Sequence, residues 1–136
     1  MNHDALFLIV DDDPDMCWAL EYLLRKQGIG SRTAASGQQA LALLAAHQFQ
    51  VALIDMKLPD LEGLELVKRI RDIDAEVRIV MVSGYCYRYD ATIQNALQTG
   101  LIGDFIAKPF QHQEALKIIA RLTSTDAGPV KPPESR

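Results

Sequence analysis

The sequence predicts an α/β fold, a doubly wound (βα)5 arrangement with one five-stranded parallel sheet, and three observations predict it. Short apolar runs alternate five times with stretches whose apolar residues recur at helical spacing, the pattern of successive βαβ units. Three of those runs stop abruptly at a polar residue, Asp11, Asp55 or Ser83, as strands covered on both faces do where their ends emerge. The length, 136 residues, is that of one domain with one core.

The elements follow in order. Ala5 to Val10 is an unbroken apolar run and the first strand. Asp13 can cap the next helix, Pro14 can take its first position, and Met16, Leu20, Leu23 and Leu24 form one stripe until Gly28. Ser31 to Ala35 is a weaker second strand, after which Ser36-Gly37-Gln38-Gln39 has the form of a capping box and opens the helix of Ala40 to Leu44. Val51 to Ile54 is a buried strand ending at Asp55, and Leu64, Val67 and Ile70 space the third helix. Arg78 to Val82 is the fourth strand, ending at Ser83, with a modest helix from Thr92 to Gln98 behind it. Phe105 to Ala107 is a short last strand, and Ala115, Leu116, Ile118, Ile119 and Leu122 mark the final helix. There is no internal repeat. Residues 123–136 hold three of the six prolines without apolar periodicity, so the folded domain is expected over 1–122 and a flexible tail or linker after it.

Composition removes several classes of function. A chain 49% apolar and 24% charged is neither disordered throughout nor a fibrous repeat. Its apolar runs fall far short of the ~20 residues of a membrane span, and the start lacks a basic n-region, so a cytoplasmic protein is expected. Cys17 and Cys86 stand far apart outside any metal-ligand spacing and read as buried or idle thiols. A net charge of -4 leaves no basic footprint for direct nucleic-acid binding.

In an open parallel sheet, ligands bind beyond the carboxyl ends of the strands. Here those ends deliver Asp11, Asp12 and Asp13 from the first strand, Asp55 from the third, Ser83 from the fourth and Lys108 from the fifth. If the first and third strands are neighbours, carboxylates converge, and each close pair repels by about 4 kcal/mol at an effective dielectric of 20. A divalent cation offsets this best. Mg²⁺ suits a site of few carboxylates because it keeps waters and accepts phosphate oxygens, and Mn²⁺ is a substitute. Lys108 adds a second cation and Ser83 a hydroxyl donor. A carboxylate facing these groups is equipped as a nucleophile toward phosphorus, since phosphoryl transfer needs chiefly positioning and charge neutralisation.

Four segments together carry a resemblance: Leu8-Ile9-Val10-Asp11-Asp12-Asp13-Pro14, Leu53-Ile54-Asp55-Met56-Lys57-Leu58-Pro59-Asp60-Leu61-Glu62-Gly63, Val82-Ser83-Gly84 and Asp104-Phe105-Ile106-Ala107-Lys108-Pro109-Phe110. From about Leu6 to Leu122 the chain resembles the receiver domain of two-component response regulators. The resemblance implies a flavodoxin-like strand order 2-1-3-4-5, with Asp55 as the phosphoacceptor. It implies that Asp11 and Asp12 are the acidic pair, Asp12 binding Mg²⁺ directly beside Asp55 and the backbone carbonyl of Lys57. By the same resemblance Ser83 is the switch hydroxyl, Phe105 the rotating aromatic, and Lys108 the phosphate-binding lysine, followed by a cis bond to Pro109. Gly84 and Pro109 would shape the site, and the Lys57 and Tyr85 side chains would flank its mouth and shield a long-lived phosphoryl group. Implied partners are a sensor histidine kinase or phosphotransfer protein and an output partner reached through the fourth helix, fifth strand and fifth helix, or a homodimer through that face. The chain would catalyse its own phosphoryl transfer and dephosphorylation and otherwise be a signalling acceptor rather than an enzyme.

Other residues have plainer readings. Asp13 is a helix cap and Asp15 a first-turn acid. His3, His47 and His112 match no motif and are expected to be solvated, the phosphodonor histidine residing on the partner. Ser83 and Lys108 lie 25 positions apart, a few more than the family usually has, which places an insertion around Tyr85 to Asp90. Its tyrosines either bind a partner or fold back as packing. Two alternatives are carried: a haloacid dehalogenase-like phosphatase using Asp11 and Asp13, which leaves the Asp55 segment unexplained, and a phosphorylation-independent interaction module. A Ca²⁺ loop starting at Asp11 fails, because its sixth residue is Met16 and its twelfth Tyr22.

Overall fold

The computed structural model describes residues 6–123, and the element order is that of five βα units. These are β1 (Leu6–Val10), α1 (Pro14–Lys26), β2 (Gly30–Ala34), α2 (Gly37–Ala46), β3 (Val51–Ile54), α3 (Gly63–Ile73), β4 (Arg78–Gly84), α4 (Ala91–Thr99), β5 (Asp104–Lys108) and α5 (His112–Thr123). All five strands are parallel, in the order β2-β1-β3-β4-β5. Val10 pairs with Ala34 on one side and Ile54 on the other, so β1 and β3 end side by side.

Side chains alternate across the sheet, and both faces are buried, which is why the central strands read as unbroken apolar runs. Leu8, Val10, Ile54, Ile79 and Met81 pack with Ala40, Leu44, Leu66, Ile70, Ile93 and Ala96 of α2, α3 and α4. Phe7, Ile9, Leu53, Val80, Val82 and Ile106 pack with Leu20, Leu24 and Ile119 of α1 and α5.

Local signals account for most helix starts. Asp13 caps α1, its side chain accepting from the Asp15 N–H at 3.0 Å, and Pro14 opens the helix. Ser36 caps α2 by accepting from the Gln39 N–H at 3.1 Å. The Gln39 side chain accepts from the N–H of Ala35, one residue before the partner a capping box uses.

Several expectations change in detail. α3 buries Leu66 with Val67 and Ile70, and Leu64 is only half-buried. β4 runs on through Ser83 to Gly84, because these residues pair with Ala107 and Lys108 and so lengthen β5 too. After β4 comes a 3₁₀ turn at Tyr85–Tyr87, and Asp90 caps α4. Tyr87 folds back against the core, as one expectation for the segment had it, whereas Tyr89 is 74% exposed. His47 is not solvated: it ends α2 half-buried, its ring edge-on to Phe49. Thr123 is the last residue of α5 rather than the first of the tail. The expected tail beyond it, and His3, lie outside the described residues. Among the described residues no helix is long and apolar enough to cross a membrane.

Candidate phosphoacceptor site

Hydrogen bonding between neighbouring strands continues one residue past the ends of β1 and β3. The N–H of Asp11 donates to Ala34 O and that of Asp55 to Val10 O, both at 3.0 Å. The two carboxylates are therefore fixed beside each other by backbone pairing, and Asp12 follows at the rim. Oxygens of Asp11, Asp12 and Asp55 all lie within 4.8 Å of one another. Asp11 and Asp55 are buried, whereas Asp12 is exposed.

Each buried acid has dedicated partners. Asp11 Oδ1 accepts from the Asp13 N–H at 2.9 Å, and its Oδ2 accepts from Lys108 Nζ at 2.8 Å. Burial nevertheless holds the Asp11 carboxyl above its usual range, because loss of hydration outweighs the Lys108 bond and charge. For Lys108 burial works the other way, but the bond to Asp11 and the charges of Asp11 and Asp55 overcome it and raise the ammonium pKa. Lys108 Nζ is also 3.6 Å from Asp55 Oδ2. Ser83, almost fully buried, donates to Asp55 Oδ1 at 2.6 Å and accepts from the Met56 N–H at 3.3 Å.

The loop after β3 is held as tightly. The Gly63 N–H donates to Met56 O at 2.6 Å, and a Cβ at Gly63 would sit 2.3 Å from Asp55 O and 2.8 Å from Met56 Cα. Only glycine permits this closure. Between them, Lys57 and Glu62 form an antiparallel bridge, with the Leu58 N–H donating to Leu61 O at 3.3 Å. At the apex Asp60 accepts the N–H groups of Gly37 and Gln38 at 2.8 and 2.9 Å, bonds that hold its carboxyl below the usual range.

The remaining expected residues are placed as follows. The Lys108–Pro109 peptide is cis. Phe105 is buried in the core, with the Arg88 guanidinium 5.6 Å from its ring centroid, and Arg88 also pairs with Glu114 of α5 at 4.0 Å. A Cβ at Gly84 would meet Cys86 Sγ at 3.7 Å and Tyr87 Cδ2 at 3.9 Å, ordinary distances, so crowding does not demand glycine there. The Lys57 side chain is exposed, and that of Tyr85 lies outside what the structure describes. Cys17 matches the idle-thiol reading: its Sγ donates to Asp11 O, and burial together with the acids around it pushes the thiol up to about 11. Beside Asp11 and Asp12 a groove of about 440 Å³ opens toward Trp18. The sequence did not single out Asp60 or Arg88, although Pro59-Asp60 carries a turn signal.

The cluster offers hard carboxylate oxygens with neither histidine nor cysteine among them, which fits Mg²⁺ or Mn²⁺ and not a soft metal. The family model described as "Response regulator receiver domain" matches residues 7–120. The chain belongs to that family. This receiver domain is 36% identical over 113 residues to the response regulator protein PilR of Pseudomonas aeruginosa, covering 83% of the chain and 25% of PilR. It is 35% identical over 107 residues to sporulation initiation phosphotransferase F of Bacillus subtilis, covering 79% of the chain and 84% of that protein. It thus spans about a quarter of PilR but most of the Bacillus protein. Among solved structures, a CheY-like receiver domain protein from Methanospirillum hungatei superposes with a TM-score of 0.80 at 28% identity, covering 91% of this chain and 98% of that one.

Proposed function

We propose that this receiver domain takes one phosphoryl group onto Asp55 from a histidine kinase or phosphotransfer protein and relays it as a change of its α4-β5-α5 face. The observation that carries this reading is the surroundings of Asp55. One of its oxygens is bonded by Ser83 at 2.6 Å, the other has Lys108 at 3.6 Å, and Asp11 and Asp12 offer oxygens within 4.8 Å.

In the reaction a carboxylate oxygen of Asp55 forms the new P–O bond as the bond from phosphorus to the donor breaks, and the donor leaves with that electron pair. Asp12, Asp55 and the Lys57 carbonyl would hold Mg²⁺, with Asp11 beside them. The ion supplies neutralisation of the phosphoryl oxygens. Lys108 spans Asp11 and Asp55 and provides the second positive charge. Ser83 already donates to the acceptor carboxylate, so it needs only to transfer that bond to a phosphoryl oxygen. Phe105, in the strand between α4 and α5, couples the change to the output face, on which a partner protein or a second copy docks. The bound phosphoryl is lost by slow self-catalysed hydrolysis, and the chain turns over no other substrate.

The same reading makes the domain cytoplasmic, without nucleic-acid binding of its own, with a tail or linker after Thr123. The phosphatase alternative is disfavoured because Asp13, its second acid, is engaged as the cap of α1.

Intact-mass spectrometry after incubation with a small acyl phosphate and Mg²⁺ tests the proposal. A single phosphoryl adduct is expected on the wild type and none on Asp55→Asn. Catalytic turnover of a phosphomonoester that survives Asp55→Asn would establish the phosphatase instead.

A further inference from the structure

We infer that Asp60 is a positioning residue for the metal cage, tying together its two walls. The inference rests on the reading of Asp55 as a Mg²⁺-dependent phosphoacceptor, and it concerns a side chain that touches none of the reacting groups.

One wall of the cage is the end of β1, with Asp11 and Asp12. It is continuous with the start of α2, because the Asp11 N–H donates to Ala34 O, the Ala35 N–H to the Gln39 side chain, and Ser36 caps the helix. The other wall is the end of β3, with Asp55 and the turn that presents the Lys57 backbone. That turn is a narrow one, closed by the Lys57–Glu62 bridge and the Leu58–Leu61 bond and anchored at its far arm where Gly63 meets Met56. Asp60, at its apex, takes the first two N–H groups of α2, which have no acceptor within the helix. Leu61 seals the junction. A Cβ on Gly37 would lie 2.5 Å from Leu61 Cδ1, so the loop and the helix start are in full contact there.

The consequence is mechanical. An anion at a helix N-terminus is itself favourable, but here the anion belongs to the loop that follows Asp55 and carries Lys57, and the helix follows the strand pair whose end carries Asp11 and Asp12. Rotation of the turn that would move the Lys57 carbonyl away from Asp12 must first break both Asp60 bonds. A side chain spent only on capping would leave the loop free; this one fixes the loop's distance from the acidic pair.

The test compares Asp60→Ala with Ser36→Ala, which removes a different cap from the same helix and leaves the loop alone. In metal-free protein, amide exchange at residues 57–62 should rise in Asp60→Ala and not in Ser36→Ala. In amide-shift titrations with Mg²⁺, Asp60→Ala should bind about tenfold more weakly, the low end for groups that orient metal ligands, with Asp60→Asn between it and the wild type. Ser36→Ala should stay within about twofold of the wild type, since its hydroxyl orients no ligand. Unchanged exchange in Asp60→Ala, or equal loss of Mg²⁺ affinity in both alanine variants, would overturn the inference. Failure of the wild type to bind Mg²⁺ would instead strike the phosphoacceptor reading, while the metal-free exchange still judged Asp60.

Discussion

Lys108 holds Asp11 more closely than it holds Asp55: its Nζ lies 2.8 Å from Asp11 Oδ2 and 3.6 Å from Asp55 Oδ2. The ammonium therefore serves chiefly to neutralise Asp11. Substitutions at the two ends of this pair should have opposite effects. Lys108→Met strands two buried anions and should destabilise the metal-free protein by about 3 kcal/mol, the low end for breaking a buried pair because the lysine is partly exposed. Asp11→Asn removes the repulsion with Asp55, leaves Lys108 for that residue, and should raise the thermal midpoint by a few degrees while abolishing the shift caused by Mg²⁺. Thermal melts of both variants with and without Mg²⁺ check the signs; a lower midpoint in Asp11→Asn would contradict them.

The raised pKa of Asp11 gives Mg²⁺ stabilisation a pH signature. A folded-state pKa above 3.8 means that the native protein holds this proton more tightly than the unfolded chain does. The contribution of Asp11 to stability is then present below 3.8 and is lost as pH rises through its folded value. Wherever the acid is ionised its burial is a cost that bound Mg²⁺ would offset, and protonation would compete with the metal. The difference between midpoints with and without Mg²⁺ should narrow on acidification at a pH above the ordinary aspartate range. Melting curves from neutral to mildly acidic pH measure it.

Gly63→Ala should cost about 2 kcal/mol or more, at the upper side of overpacking penalties, because two of the three atoms its Cβ would meet are backbone. One of them is the carbonyl of Asp55 itself, so Mg²⁺ affinity should fall as well. Urea denaturation and a Mg²⁺ titration of the same variant provide the two readings, and a neutral stability effect would show that the loop gives way.

Arg88 bridges the segment after β4 to β5 and α5 through two contacts of different strength. Its pairing with Glu114, at 4.0 Å between partly exposed groups, should show a coupling below about 0.5 kcal/mol in a double-mutant cycle. Its place over the Phe105 ring should be worth more, about 1 kcal/mol, because the ring is buried. Arg88→Ala should therefore shift the Phe105 ring resonances, and Glu114→Ala should barely move them.

Phosphoryl lifetime is expected to depend on Lys57 and Tyr85, two positions after the proposed acceptor Asp55 and the proposed switch hydroxyl of Ser83 respectively. Lys57→Asn and Tyr85→Ala should each lose phosphoryl severalfold faster, as water gains its line of approach to phosphorus. Equal or slower loss, followed by mass spectrometry after removal of the donor, would show that neither side chain guards the bond.

What could be read in advance depended on whether a residue's role is local. Val51 to Ile54 is a strand in the sequence and in the structure because burial on both faces writes an unbroken apolar run. Asp13 with Pro14 and Ser36 with Gln39 mark helix starts because capping acts over three residues or fewer. The acids at the ends of β1 and β3 were legible as chemistry because like charges in a cluster need a cation. Asp60 was not, since its partners lie 22 and 23 positions away and no periodicity connects them. The reach of β4 through Gly84 was hidden for a related reason, being set by pairing with β5 rather than by its own composition. His47 was misjudged because its cover is the neighbouring Phe49 ring.

The bond between Lys108 and Asp11 closes over 97 positions of chain, from the last strand back to the first. The three acids stand on the ends of β1 and β3, so the ammonium that faces two of them is contributed only by the last strand of the sheet. On the proposed reading, a chain clipped before β5 should take up no phosphoryl group, because the ammonium that faces Asp11 and Asp55 is missing from it.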